Sequence, residues 1–204
     1  MKTNCLSTIA GAALAAGLLF PSTPVLAQDK PAAAPAKVED RVLIDMSAAD
    51  AVDRIIPDGQ SLEVVSSDVV TYKSDTGEGK AILVTYKPGA QYPTAAMMPE
   101  GDVWNLSDYT DLKIRITNPG ETKIRGVLRL DNPGDWKKSP WMSKEFEIAA
   151  GETKTLDVNL NGYAGNGKRF LKGQMTRIGM FLVNPTSETK LRVEDVRAVA
   201  EAAE

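Results

Sequence analysis

Apolar and polar residues alternate with a period of two along much of the chain. Leu112, Ile114 and Ile116 are separated by Lys113, Arg115 and Thr117, and Ile124, Leu128 and Leu130 alternate with Lys123, Arg125 and Arg129. Leu156, Val158 and Leu160 repeat the pattern, as do Ile178, Met180 and Leu182, and then Leu191 and Val193. Successive side chains of a strand point to opposite faces, so each segment reads as a strand with one buried face. The intervening Asn118-Pro119-Gly120-Glu121 is turn chemistry and predicts a hairpin over 111–130. Runs at 41–46, 61–65, 68–73 and 80–86 add β-branched segments separated by Asp, Gly, Ser and Pro. The helical signal is brief: Ser47 with Asp50 three residues later forms a capping-box pattern ahead of Ala51, Val52, Ile55 and Ile56. About ten strands with single-face alternation predict an all-β, antiparallel β-sandwich over 40–199 with one short helix.

The ends of the chain follow other patterns. Lys2 precedes an apolar run from Ile9 to Phe20; Pro21 and Pro24 break it before Val25-Leu26-Ala27. That order of charge, apolar core and small-residue site predicts a secretory signal peptide, 1–27, cleaved after Ala27. The run is shorter than the roughly 20 residues needed to span a bilayer. Residues 28–39, rich in Pro and Ala, read as an extended linker, and 200–204 as a frayed tail.

Composition narrows the chemistry. Cys5 is the only cysteine and lies before the apolar run, so the exported chain has no disulfide, thiolate metal site or cysteine nucleophile. There is no histidine, the commonest general base and transition-metal ligand. The formal charge is −3, and removing 1–27 takes away Lys2 and no acid. A mildly acidic chain of mixed sign argues against nucleic acid, and nothing after Ala27 predicts membrane insertion. Asp157-Val-Asn159-Leu-Asn161-Gly162 opens like a calcium loop, but Lys168 stands where the bidentate Glu is required. Asn105-Leu106-Ser107 matches a glycosylation acceptor by pattern alone. Asp131 with Glu145 or Glu147 could be drawn as a carboxylate pair, yet their spacing does not single them out. The chain therefore reads as a non-enzyme.

A succession of short blocks carries a resemblance. Val103-Trp-Asn-Leu-Ser-Asp-Tyr109 leads into Asp-Leu-Lys-Ile-Arg-Ile-Thr-Asn118-Pro-Gly, then Gly126-Val-Leu-Arg129-Leu-Asp131-Asn132-Pro-Gly134. Later come Arg177-Ile-Gly-Met-Phe-Leu-Val-Asn-Pro185 and Thr189-Lys-Leu-Arg-Val-Glu-Asp195-Val-Arg197. The order resembles the galactose-binding-like jelly-roll modules attached to agarases and related glycoside hydrolases, over about residues 40–199. The resemblance implies a twisted jelly roll, sugar recognition on a sheet face or at loop tips, and a structural calcium near the first and last strands. Asp45 and Asp195 are the candidate oxygen ligands for that calcium.

Trp104 precedes a strand and is expected in the core. Trp136 and Trp141 lie in a charged, Pro-containing segment without strand alternation. A flat indole can stack on the C–H face of a sugar while polar neighbours read its hydroxyls. The candidate ligand residues are therefore Arg129, Asp131, Asn132, Trp136 and Trp141. The expectation is a secreted or periplasmic, non-catalytic carbohydrate-binding module whose partner is a polysaccharide or oligosaccharide. The alternative is a structural or protein-interaction sandwich without a sugar site. Exposure of both indoles beside Arg129 and Asp131 would favour the first, and burial of both the second.

Overall fold

Eleven strands make up nearly all the regular structure among the described residues, which in this computed structural model are 38–74, 77–135 and 137–200. The proposed signal peptide, most of the linker, Trp136 and residues 201–204 lie outside them. One sheet contains β3 (Val65–Ser74), β4 (Gly77–Tyr86), β11 (Thr189–Ala200), β6 (Tyr109–Thr117) and β9 (Thr153–Asn159) in that spatial order. Its sixth strand, β1 (Arg41–Ile44), pairs with the far end of β11. The other sheet runs β2 (Ile55–Pro57), β5 (Thr94–Met97), β10 (Arg177–Leu182), β7 (Ile124–Asp131) and β8 (Trp141–Ile148). Every pairing is antiparallel. The chain is an all-β sandwich.

The period-two pattern explains how the two sheets close. Leu112 and Ile114 stand opposite Val158 and Leu156 across β6 and β9, and Ile114 and Ile116 opposite Val196 and Val193 across β6 and β11. These side chains are buried, as are Ile124, Leu128, Leu130, Ile178, Met180 and Leu182 from the facing sheet. Fully burying one such side chain is worth about 1.5–3 kcal/mol. Trp104 is buried with them, as expected. Tyr86 crosses the sandwich, its hydroxyl donating to the carbonyl of Met180 at 3.0 Å, and burial pushes the phenol's pKa up. No helix of the described residues is long and apolar enough to cross a membrane.

Three local expectations are corrected. The segments of 111–130 do not form a hairpin: β6 and β7 belong to different sheets. Alternation shows which side chains face the core, but both sheets face the same core, so it does not show which sheet a strand joins. The link is fixed by Asn118, whose buried amide donates to the carbonyls of Thr122 and Ala149 at 2.8 and 3.0 Å and accepts from Gly120 N at 2.9 Å. Of residues 61–65, positions 61–64 are turn rather than strand; Leu62 is 71% exposed, and β3 begins only at Val65. The predicted helix is one 3-10 turn, Ala51–Arg54, without the capping box. Ser47 instead donates through N and Oγ to Asp45 Oδ1, and Ile55-Ile56-Pro57 leaves the turn as an edge strand.

Candidate ligand-binding cleft

With Ile124, Leu128 and Leu130 in the core, β7 turns Arg125, Val127, Arg129 and Asp131 to the outer face of the five-stranded sheet. Asp131 stands between Trp141 of β8 and Arg177 of β10, and Arg129 between Ser143 and Gly179. The charged groups interlock. Arg129 Nε donates to Asp131 Oδ1 at 2.7 Å, while Arg177 donates to Oδ2 through Nε at 3.0 Å and Nη2 at 2.8 Å. The remaining Nη1 of Arg177 pairs with Asp58, just beyond β2. Above this chain lies an open cavity of about 680 Å³, bordered by Asp58, Arg129, Asp131, Asp135, Ser139 and Arg177.

The loop after β7 forms one wall. Asp135 accepts from Lys137 N through Oδ1, and its carbonyl accepts from Ser139 N at 2.7 Å. Gly134 has φ +100°, and a Cβ there would lie 2.7 Å from Ser139 Oγ, so both backbone and space require glycine. Asn132 also borders the cavity, but its amide is engaged within the fold. Its side chain is buried, donates to the carbonyls of Leu171 and Gln174 at 2.8 and 2.9 Å, and accepts from Leu171 N at 2.9 Å. It braces the segment leading into β10.

Trp141 is brought beside Arg129 and Asp131, but much of its ring is already covered. The Arg129 guanidinium carbon is 4.9 Å from the ring centroid. Gly165 lies against the benzo edge: a Cβ there would come within 2.4 Å of it. The loop carrying Gly165 is tied down by Gly165 N to the Trp141 carbonyl at 2.8 Å and Asn166 Nδ2 to the Ser139 carbonyl at 2.7 Å. The structure thus brings together Arg129, Asp131 and Trp141, assigns Asn132 to the scaffold, and leaves Trp136 outside the described residues.

Arg177 and Asp58 were missed by sequence reasoning. Arg177 carried a usable signal, because Ile178, Met180 and Leu182 inward place 177 outward. Asp58 carried none, since only the sheet order brings it to Arg177.

A second guanidinium–carboxylate cluster occupies the outer face of the six-stranded sheet. Glu194 follows Arg192 onto that face, at a bulge in β11 between Val193 and Asp195. Arg115 Nε donates to it at 2.8 Å, Arg192 through Nε and Nη2 at 3.0 and 2.8 Å, and the Thr117 hydroxyl completes the set. Burial pushes the Glu194 carboxyl up, but the hydrogen bonds from Thr117, Arg115 and Arg192 outweigh it and hold it below the ordinary value. Arg192 also lies over Tyr72, 4.5 Å from the ring centroid.

The two calcium candidates do not assemble a donor set. Asp45 Oδ1 is occupied by Ser47, and Asp195 Oδ2 by Arg197 Nε. Among the described residues no three acidic groups gather as a metal site would need. A hard dication takes six to eight oxygens, and a guanidinium beside one of the two carboxylates opposes it. The residues present do not fit the ion.

No family model matches the sequence. No curated protein matches it. Solved structures do match. An exo-β-agarase superposes with a TM-score of 0.63 at 13% identity, covering 80% of this chain and 25% of the agarase. A family 11 carbohydrate-binding module from Clostridium thermocellum, solved with a β-1,3-1,4-mixed-linked tetrasaccharide, gives 0.59 at 13% identity. There 83% of this chain covers 100% of the module. A second agarase gives 0.53 at 13% identity, with 81% of this chain over 25% of that one. The chain thus spans about a quarter of the agarases but the full length of the binding module. The fold is the jelly roll seen in these carbohydrate-binding modules and agarase chains.

Proposed function

We propose that the protein is an exported, non-catalytic carbohydrate-binding module that takes a polysaccharide or oligosaccharide in the cleft above Asp131. The observation that carries this reading is the Arg129–Asp131–Arg177–Asp58 chain on the floor of an open cavity. Carboxylate and guanidinium groups held rigidly by one another present acceptors and donors at fixed positions, as recognition of sugar hydroxyls requires. The full-length likeness to a module solved with a tetrasaccharide supports the same ligand class. Asp58 and Asp131 are both engaged by Arg177, and no histidine is present to share proton transfer. That arrangement supports binding rather than hydrolysis. Export rests on the charge, apolar run and cleavage pattern of 1–27.

A protein-interaction sandwich is the second reading, favoured by the covering of Trp141 and the scaffold role of Asn132. Affinity electrophoresis in gels containing mixed-linkage β-1,3-1,4-glucan, agarose or xylan separates the two. Retardation by at least one polysaccharide, lost in Asp131→Ala, supports the cleft; a parent protein that no polysaccharide retards contradicts it.

A further inference from the structure

The outer face of the five-stranded sheet does not end at the charged cleft. From Asp131 the outward positions of β7 continue through Arg129 and Val127 to Arg125, about 20 Å at the usual strand rise. Midway, Gly179 pairs with Ala96 and Arg129, and a Cβ at Gly179 would lie 3.5 Å from Thr94 Cγ2 and 3.8 Å from Arg177 Nη2. Beyond them a second cavity, about 600 Å³, opens among Arg125, Val127, Glu145, Glu147 and Val183. Phe181 lies directly across from Val127 on the same face. Its ring meets Tyr92 edge-on, with centroids 6.0 Å apart and planes at 80°.

Tyr92 and Val183 are 52% and 50% exposed, and Val183 lines the second cavity. Their positions are nevertheless fixed. Asn184 N donates to the carbonyl of Gln91 at 2.8 Å, and Leu182 N to that of Pro93 at 3.3 Å, tying the Tyr92 segment to the end of β10. Phe181 limits how far the ring can turn. A ring held in this way loses little freedom on stacking. Glu145 lines the same cavity and offers a hydroxyl acceptor, whereas the Glu147 carboxylate is paired with Lys123 and Arg125 at 3.0 and 2.7 Å. This end of the face has the exposed ring that Trp141, covered by Arg129 and Gly165, does not supply.

We infer that Tyr92, braced by Phe181 and extended by Val183, is the stacking platform of the sugar site, an inference that rests on the proposed carbohydrate-binding function. The ligand is then an internal stretch of an extended glycan. It lies along β7 with its hydroxyls on the Arg–Asp network at one end and a C–H face on Tyr92 at the other. Both cavities are open to solvent, so the chain can run on past both.

The test uses the polysaccharide among mixed-linkage glucan, agarose and xylan that retards the parent most, and a length series of its oligosaccharides. Tyr92→Ala should weaken binding about tenfold, as loss of one stacked ring implies, whereas Tyr92→Phe, which keeps the ring, should bind nearly as the parent does. Val183→Lys, at a half-exposed position that tolerates a long side chain, should also weaken it and serves if Tyr92→Ala fails to fold. Affinity should climb with oligosaccharide length until the ligand reaches both cavities. Parent-like binding by folded Tyr92→Ala and Val183→Lys, with binding still lost in Asp131→Ala, overturns the platform and leaves the cleft standing. A disaccharide that binds as tightly as the longest oligosaccharide overturns the internal-chain mode. A parent that binds none of the three polysaccharides removes both the inference and the function beneath it.

Discussion

The two outer faces carry the same local device to different ends. On one, Arg129-Leu130-Asp131 pairs within a strand, and on the other Arg192-Val193-Glu194 does the same. Each places an arginine over an aromatic ring, Trp141 or Tyr72. Each recruits a second arginine from a neighbouring strand, Arg177 or Arg115. The carboxylates then diverge. Glu194 has a side chain only 1% exposed and receives four donors from Thr117, Arg115 and Arg192, so the cluster is closed. Asp131 keeps 13% exposure, its partner network runs on to Asp58 at 38%, and a cavity lies above it. A saturated cluster holds strands together, and one that opens onto a cavity can also hold a ligand. The sequence motif is shared; the surroundings decide its use.

The largest effect expected from breaking this comparison is at the closed cluster. Glu194→Ala leaves Arg115 and Arg192 facing each other without their shared counter-charge and should cost about 3 kcal/mol, a magnitude seen when one partner of a buried pair is removed. Thermal and urea unfolding measure it, and a loss below about 1 kcal/mol would mean the cluster is merely a surface pairing. Next is the covered indole. Gly165→Ala drives a methyl into Trp141 and should cost about 1–3 kcal/mol, as overpacking typically does, with little change if the loop can lift away.

Acid should separate the clusters further. The folded-state pKa of Glu194 lies below its ordinary 4.5, so its contribution is present above about that pH and is lost as pH falls through the folded value. The stability gap between the parent and Glu194→Gln should therefore be constant near neutrality and close in acid. A gap of equal size at pH 7 and at pH 3 would rule out the ionised carboxylate as its source. The smallest effect concerns metal. Asp45 and Asp195 are bonded to Ser47 and Arg197, so calcium and chelator should leave the melting temperature unchanged. A rise of several degrees with calcium would show a donor set that this arrangement lacks.

Most of the fold was legible because alternation reports burial directly. Leu112, Ile114, Ile116, Leu156, Val158, Ile178 and Met180 all face the core as their spacing predicts. Sheet membership was not legible, since strands of either sheet bury the same kind of face; hence the false hairpin across Asn118. At the site, Arg129 and Asp131 could be found because they share a strand with buried leucines and precede two tryptophans in the sequence. The bracing role of Asn132 was not legible, because an amide that braces a loop has the same chemistry as one that reads a hydroxyl. Tyr92 and Phe181 are distant in sequence and meet only because β5 and β10 are neighbours. No local pattern could have paired them.

If the open cluster binds and the closed cluster holds the fold, their two carboxylates should separate binding from stability. Asp131→Asn and Glu194→Gln compared side by side for polysaccharide retardation and for melting temperature test it most directly. Asp131→Asn should lose most of its affinity, about tenfold or more, with a stability loss within about 1 kcal/mol, because the Asp131 carboxylate itself keeps solvent contact where Glu194 does not. Glu194→Gln should do the reverse, with a clear drop in melting temperature and retardation like the parent's. Equal retardation of the parent and Asp131→Asn, or loss of binding in a folded Glu194→Gln, would contradict it.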